Sequence, residues 1–431
     1  MLEKIKNFVS RTDRFLFKKF GSDKSIKFLQ NIKGTKTLFL SLNEIGSGDK
    51  VRFVGGCVRK SLSGENVDDI DLATILTPEE VKKRLTQKNI QVYDTGISHG
   101  TVTAVLNKKK FEITTLRKDI LTDGRHAQVQ FTQDWEQDAS RRDFTINAIY
   151  ADIDGRIFDP LDGMTDLKNG NVKFIGSPTE RIQEDFLRIL RYLRFFTQYS
   201  KNDHDHDVIK SIKQNINGLN KISNERIFDE LIKILSLKNF YNLFSNDQCK
   251  EIFNNIFPQF KYYERLNKFK KLNDKLKIKY DKYLILALLI IDQTNDHEYF
   301  CHKYKTSNSI KKRFKNISDN FENLKDKKFY SKENIKKLIY FSGKNEVMDL
   351  LLFLLCANNK VKHQTIEELI DYLGVCEVPK FPISGDYLKK HGYDTGQALG
   401  KKLKLIEEKW INNNFVLDKK ILEKSLKTNQ D

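Results

Sequence analysis

Gly55-Gly56-Cys57-Val58-Arg59, followed within a short stretch by Asp69-Ile70-Asp71-Leu72-Ala73-Thr74, decides the reading of this chain. Val51-Arg52-Phe53-Val54 and Leu72-Ala73-Thr74 have the apolar and β-branched character of strands, and the double glycine between them reads as a turn. Side chains two apart on a strand share a face, so Asp69 and Asp71 would converge on one spot. Like charges held that close repel unless a cation lies between them. Carboxylate oxygens suit Mg²⁺, which keeps several waters and bridges carboxylates to phosphates. Glycines without Cβ would let backbone N–H groups approach a triphosphate, and Arg59 would neutralise it. Singly, an Asp-x-Asp or a Gly-Gly is as well explained by an exposed turn; the ordered pair, with an arginine between, points to nucleotide chemistry.

Downstream, Thr101 to Leu106 alternates, Asn107 to Lys110 is polar, and Phe111-Glu112-Ile113-Thr114-Thr115-Leu116-Arg117 resumes strand composition, which describes a hairpin. Glu112 is therefore a candidate third carboxylate. Whether it faces Asp69 and Asp71 or points outward from an edge strand depends on a parity that the sequence leaves open.

Four further segments follow in order: Arg141-Arg142-Asp143-Phe144-Thr145-Ile146-Asn147-Ala148; Asp159-Pro160-Leu161-Asp162-Gly163-Met164-Thr165-Asp166-Leu167; Glu184-Asp185-Phe186-Leu187-Arg188-Ile189-Leu190-Arg191; and Ile222-Ser223-Asn224-Glu225-Arg226-Ile227-Phe228-Asp229-Glu230-Leu231. With the first, they make the chain resemble the class II tRNA nucleotidyltransferases, the CCA-adding enzymes, of the superfamily that includes bacterial poly(A) polymerase. The chain departs from that family's usual pattern at Lys60, where Asp is usual, and at Leu62-Ser63-Gly64, where Leu-Leu-Gly is usual. Retained carboxylates predict that metal binding survives and that only the partner of Arg59 changes.

The fourth segment has a physical logic of its own. Thr179 to Phe195 is amphipathic at helical period, with Pro178 before it and acidic residues early, and predicts one continuous helix. Asp185 and Arg188, three apart, would then be neighbours on one face. A carboxylate accepts an amino proton, and a guanidinium donates to a ring nitrogen or carbonyl. Cytosine and adenine both offer an amino group beside a ring acceptor, so one Asp/Arg pair can read both. Uracil and guanine present oxygen and a ring N–H instead, and the mismatch leaves polar groups unpaired. The bland alternative is a surface ion pair worth a few tenths of a kcal/mol.

Composition bounds the rest. The 431 residues exceed one ordinary domain, and 76 Lys and Arg against 58 Asp and Glu give a formal charge of +18, which favours a polyanionic partner. Abundant Lys, Asn and Ile can reflect compositional bias as well, so the charge only supports the motif reading. Cys57, Cys249, Cys301, Cys356 and Cys376 show no C-x-x-C spacing, which argues against a zinc module or disulfide framework and for a reducing compartment. Met1 to Lys33 reads as a helical segment, with a targeting presequence the weaker alternative because Glu3 and Asp13 interrupt it. Tyr283 to Ile291 and Leu350 to Cys356 are apolar runs too short to span a bilayer and read as buried helices. Asp203-His204-Asp205-His206-Asp207 reads as a solvated loop, and in His297-Glu298-Tyr299-Phe300-Cys301-His302 the position that a zincin needs as His is Cys301.

The expected fold class is α+β. The resemblance implies an N-terminal helical segment (1–33), a nucleotidyltransferase-type head with a mixed β-sheet and helices (34–175), and then an all-α neck (176–250), body (251–372) and tail (373–431). It implies that two Mg²⁺ ions are held by Asp69 and Asp71, with Glu112 as a third catalytic residue. Gly55, Gly56, Arg59, Arg142, Asp143 and Asn147 would contact the triphosphate and sugar, Asp185 and Arg188 would read the base, and Arg191 would hold them. Ser223, Arg226 and Glu230 would brace the neck. Substrates would be CTP and ATP, the partner tRNA, with no DNA and no membrane, in the cytoplasm. In the body, Lys268, Lys270, Lys271, Lys275, Lys277 and Lys279 are a solvated helix face or a tRNA contact, and in the tail the glycines of Gly392 to Gly400 serve a phosphate or helix packing. Poly(A) polymerase, a CC-only or A-only enzyme, and, from another class, a silent tRNA-binding protein remain alternatives. The carboxylates speak against the last, His99-Gly100-Thr101-Val102-Thr103 against poly(A) polymerase, and the loop Arg117 to Arg142 against a CC-only enzyme.

Overall fold

A computed structural model describes residues 20–22, 26–43, 49–123, 126–276, 281–321, 327–357, 362–417 and 422. The chain forms two compact units, Met1–Ile256 and Phe257–Asp431.

In the first unit the strands are β1 (Phe20–Ser22), β2 (Val51–Val54), β3 (Ile70–Thr74), β4 (Gln91–Gly96), β5 (Thr101–Leu106), β6 (Lys109–Thr115), β7 (Arg117–Asp123), β8 (His126–Phe131), β9 (Tyr150–Ala151) and β10 (Arg156–Phe158). All but β7 and β8 form one mixed sheet in the order β1-β10-β9-β2-β3-β6-β5-β4, while β7 and β8 pair as a separate hairpin. Within the sheet β3 and β6 run parallel. Alternation decides what each face carries. Ile70 and Leu72 of β3, with Phe111 and Ile113 of β6, enter an apolar cluster with Leu38 and Phe39 of helix Thr35–Leu42 and Val81 and Leu85 of helix Pro78–Thr86. Ala73, next along β3 and on its other face, belongs to a second cluster with Val54, Leu116, Ala148 and Tyr150. Asp71 and Glu112 lie in that opposite register.

The expected hairpin between Thr101 and Arg117 is present as β5 and β6, and its turn is set by Asn107 and Lys108 at φ 52° and 62°, as a type I′ connection requires. The N-terminal expectation is corrected where it can be seen. Phe20–Ser22 is not helical but pairs antiparallel with Arg156–Phe158, whose outer backbone groups would otherwise be an open sheet edge. Residues 1–19 lie outside the described residues, so the remainder of that expectation is not described.

A second correction concerns the fourth motif. The predicted continuous helix is two, Pro178–Glu184 and Arg188–Tyr199, with Asp185 extended at φ −151°, ψ 103°. Apolar residues keep helical spacing on both sides, which is why the period hides the break. The Asp185 Oδ1 accepts the Leu187 N–H at 3.2 Å, a local bond that competes with helical continuation. Helices His206–Asn215 and Asn224–Leu235, joined by a 3₁₀ turn at Ile216–Lys221, pack around the pair. His204 also departs from the solvated loop expected: it stacks on Phe196 at 3.6 Å between centroids, and its ring nitrogens meet Tyr192 Oη and Cys249 Sγ, both at 3.2 Å. Burial holds its pKa down at about 4, so the ring stays neutral. Asp205 of the same stretch caps helix His206–Asn215.

The second unit is helical throughout its described residues. Helices Lys282–Ile290 and Lys344–Ala357 carry its most apolar runs, and Leu284 through Ile290 and Leu350 through Cys356 are buried, as expected for core helices. No helix among the described residues is long and apolar enough to cross a membrane. Arg313 is fixed between Asp281 and Asp349, with Nη1 and Nη2 donating at 3.1 and 2.7 Å. Of the basic stretch in the body, Lys268 to Lys275 fall on helix Tyr263–Leu276, while Lys277 and Lys279 lie outside the described residues. In the tail, Ser384 caps helix Gly385–Lys390, and Gly396 precedes helix Gln397–Asn412.

Candidate active site

The sheet register answers the parity question. Asp71 on β3 is opposite Glu112 on β6, and across the parallel pair the two side chains project from the same face. Asp69 sits just before β3 and acts on Asp71 as a third negative charge. Burial first, then Glu112, pushes the Asp71 carboxyl up to about 6, although Arg142 opposes. Three repelling carboxylates with hard oxygen donors are what a divalent cation would relieve. Among the described residues, however, no group of three or more His, Cys, Asp or Glu side chains closes into a ready-made metal cage.

The glycine turn faces this edge. Gly55 has φ +68°, a conformation that costs a side-chain-bearing residue, and a Cβ on Gly56 would sit 3.6 Å from Asp71 Oδ2. A longer side chain at 56 would occupy the ground in front of the carboxylate. Cys57, at the start of the following helix Gly56–Leu62, donates from Sγ to the carbonyls of Val54 and Asp71 at 3.3 and 3.4 Å, tying the turn to β3.

Arg59 is placed differently from the expectation that it neutralises a triphosphate. It is 5% exposed, lies over the rings of Phe195 and Tyr199 at 4.5 and 5.1 Å, and donates from Nη1 to Asn147 Oδ1. Asn147 Nδ2 in turn donates to Asp143 Oδ1 at 2.8 Å, and Arg191 closes the chain on Asp143 Oδ2, with Nε at 2.7 Å. The result is a buried relay, Arg59 to Asn147 to Asp143 to Arg191, that joins the first, second and fourth motifs. Burial works against the Asp143 charge, but Arg191 and the Asn147 hydrogen bond win and hold its pKa down at about 2. Asp143, Asn147 and Arg191 thus bind one another, and Arg191, expected to hold Asp185 and Arg188, makes its hydrogen bonds to Asp143 instead. Lys60 points elsewhere, to Asp68 at 3.4 Å on the surface.

Arg142 is anchored from behind. Its Nη2 and Nε donate to Asp138 Oδ2 at 2.9 and 3.2 Å and its Nε also to Tyr150 Oη at 3.0 Å, while Nη1 lies against Gly55. Asp138 and Tyr150 escape a sequence reading, although an acid three and four residues before two arginines is the available signal.

At the helix break, the side chains of Asp185 and Arg188 do not pair with each other, although the Arg188 N–H donates to the Asp185 carbonyl at 2.9 Å. Arg226 donates to Asp185 Oδ2 at 2.9 Å, and Glu184, itself held by Arg181, accepts from Arg188 Nη1. Arg188 Nη2 makes no hydrogen bond among the described residues. Of the predicted braces, Arg226 reaches Asp185 and Glu230 reaches Arg194, whereas Ser223 makes no side-chain cap bond. Glu184 and Arg181 are additions; Glu184, four before Arg188, was the signal.

The chain matches a family profile described as the Poly A polymerase head domain over residues 51–173, one named for an RNA and SrmB-binding site of polymerase A over 205–264, and one for tRNA nucleotidyltransferase domain 2 over 275–426. It is 34% identical to the mouse (Mus musculus) CCA tRNA nucleotidyltransferase 1, mitochondrial, across 91% of this chain and 88% of that protein. The chain belongs to the CCA-adding tRNA nucleotidyltransferases. A bacterial member of the family, the CCA-adding enzyme of Lactobacillus helveticus, is 30% identical over 88% of this chain and 93% of its own. The fold of this nucleotidyltransferase is shared by the CCA-adding enzyme of Bacillus stearothermophilus in complex with CTP (TM-score 0.66, 21% identity, 93% of this chain and 98% of that one). It is also shared by the Thermotoga maritima CCA-adding enzyme complexed with tRNA (TM-score 0.63, 19% identity, 94% and 98%).

Proposed function

We propose that this nucleotidyltransferase adds C, C and A in turn to the 3′ end of tRNA from CTP and ATP, releasing pyrophosphate, without a nucleic-acid template. The observation that carries the reading is the shared face of Asp71 and Glu112 beside an open glycine turn. Asp69 and Asp71 would hold Mg²⁺, two ions in our reading, which when bound supplies activation of the tRNA 3′-hydroxyl and charge stabilisation on the triphosphate. Glu112 orients the hydroxyl. The turn at Gly55 and Gly56 admits the triphosphate without a side chain in its way, and Arg142 offers Nη1 to a phosphate oxygen while Asp138 and Tyr150 fix its other nitrogens.

Selection falls to the helix break. Each Asp185 oxygen already accepts one hydrogen bond and has a lone pair left for the amino group of cytosine or adenine. Arg188, with Nη1 committed to Glu184, presents Nη2 to the ring acceptor. Arg59, Asn147, Asp143 and Arg191 keep the two halves of the site in register instead of touching phosphates. We assign 34–175 to the head, 176–250 to the neck, 251–372 to the body and 373–431 to a tRNA-binding tail. The five cysteines, all free, fit a cytoplasmic location, which fractionation tests against the mitochondrial relatives.

The test is direct. A tRNA transcript lacking its terminal CCA is incubated with Mg²⁺ and each labelled nucleotide, singly and together, and product length is read on a sequencing gel. Growth by C, C and A, with neither UTP nor GTP used, is the expected outcome. A lengthening run of A makes the protein a poly(A) polymerase, arrest after two C or addition of A alone makes it a specialist, and no extension with tRNA still bound makes it a binding protein.

A further inference from the structure

The break between Pro178–Glu184 and Arg188–Tyr199 keeps a helical sequence period, so tertiary contacts must hold it. Arg226 grips Asp185 on one side. On the next residue, the Phe186 ring lies against Gly218 in the 3₁₀ turn Ile216–Lys221 so closely that a Cβ on Gly218 would be 2.1 Å from both Cδ1 and Cε1 of the ring. Gly218 is not among the glycines with positive φ. Its backbone therefore admits alanine, and the ring is what a Cβ there would meet first. Lys221 Nζ lies 5.6 Å from the same ring centroid. The segment that carries Gly218 is also fastened along the preceding helix, through Thr179 Oγ1 to Ser211 Oγ at 2.9 Å and Gln183 Nε2 donating to Asn215 Oδ1 at 3.1 Å. Residues 206–221 thus splint the back of the break.

We propose that Phe186 and Gly218 are positioning residues for base selection, the ring fixing residue 186 and with it the aim of Asp185 before it and Arg188 after it. The inference rests on the reading of Asp185 and Arg188 as the base readers. It places a determinant of specificity on a glycine outside the five motifs, on an element with no part in the chemistry. An alanine methyl at 218 must push the ring aside, since packed interiors have no slack for an overlap of that size. The ring is joined directly to the backbone between the two readers, so its displacement is theirs.

The experiment compares Gly218→Ala, Phe186→Leu and the double variant with the full-length protein, measuring kcat/KM for CTP, ATP, UTP and GTP on tRNA substrates at each stage of addition, alongside melting temperature and tRNA affinity. Gly218→Ala is expected to lower the CTP:UTP and ATP:GTP ratios on the order of tenfold to a hundredfold, the scale of a misplaced orienting group. tRNA affinity stays unchanged, and the smaller leucine in the double variant restores much of the ratio. A wild-type ratio in Gly218→Ala, an equal slowing of all four nucleotides, or a double variant no better than Gly218→Ala would each overturn the proposal. If Gly218→Ala does not fold, Phe186→Leu alone decides, because it trims the ring without adding an atom, and a wild-type ratio there overturns it. Asp185→Ala separates the two layers. Unchanged selectivity in it brings down the base-reading assignment and this inference together, whereas altered selectivity there beside a wild-type ratio in Gly218→Ala brings down this inference alone.

Discussion

At the edge of β3 and β6, Asp71 faces Glu112 and Asp69, and burial and repulsion raise its carboxyl to about 6. At the helix break every charge meets its opposite: Asp185 rests on Arg226, and Arg188 on Glu184, which Arg181 also holds. The first region therefore gathers repelling carboxylates, which in the proposed reading a divalent cation would relieve. In the second each carboxylate is paired within the protein, which under the proposed function would aim its remaining hydrogen-bonding groups before a nucleotide enters. Preorganised donors and acceptors discriminate because they need not rearrange to fit a wrong base. Damage at the first region should silence every nucleotide equally, and damage at the second should change which nucleotide is used.

The largest break in that contrast is Asp71→Ala. Turnover with CTP and with ATP should fall by about a thousandfold or more, equal to roughly 4 kcal/mol of transition-state stabilisation, while tRNA binding in a filter assay is unchanged. Measurable addition at wild-type rates would remove Asp71 from the chemistry.

Next is the relay that couples the regions. Asp143→Asn leaves Arg191 facing a neutral amide and should destabilise the first unit by about 3 kcal/mol in urea unfolding. The pH dependence has a defined sign: the folded pKa of Asp143, about 2, lies below its ordinary 3.8, so its contribution is complete above about 4 and is lost as pH falls through about 2. The stability difference between wild type and Asp143→Asn should shrink across that window. A constant difference would mean that the carboxylate charge contributes nothing.

The proposed base readers come third. Arg188→Ala should slow CTP and ATP addition about tenfold, and Asp185→Ala should admit UTP or GTP more readily, the loss of a charged hydrogen bond being worth roughly 1.5 to 3 kcal/mol. Unchanged circular dichroism and tRNA affinity must accompany the effect. A double variant that still adds only C, C and A would move the selector elsewhere in the molecule.

Lys60→Ala should do least. Its pair with Asp68 is 3.4 Å long and 77% exposed on the acid side, so stability should shift by no more than about 0.5 kcal/mol and turnover should hold. A large loss would mean that the departure at Lys60 matters to Arg59 after all.

How far these two regions could be read from sequence differs for physical reasons. A strand's period of two is short-range and predicts Asp69 and Asp71 on one face; in the structure Asp69 falls just before β3 and acts on Asp71 as a neighbouring negative charge. The place of Glu112 depends on the register of two parallel strands with β4 and β5 between them in the chain, which no local pattern encodes. Arg59 shows what local neighbours leave out: beside a glycine turn it reads as a phosphate ligand, and its partner in the structure, Asn147, lies 88 residues further on. At the fourth motif the residues were legible and the shape was not. Apolar spacing continues through the break, and what opens it is a side-chain bond within the turn and an arginine supplied by another helix. The strand at Phe20–Ser22 completes a sheet edge formed by residues far downstream, so local composition read it as helix.

The relay also has a meaning for biosynthesis. Arg59 must wait for 88 further residues before Asn147 exists, and Asp143 for 48 before Arg191 does. At about 5 to 20 residues per second on the ribosome, these are delays of seconds. A nascent chain released or stalled after its head would hold Asp143 without the arginine that pairs with it in the finished protein. Translation thus delivers the acid before its partner, and the relay closes only once the fourth motif has been made.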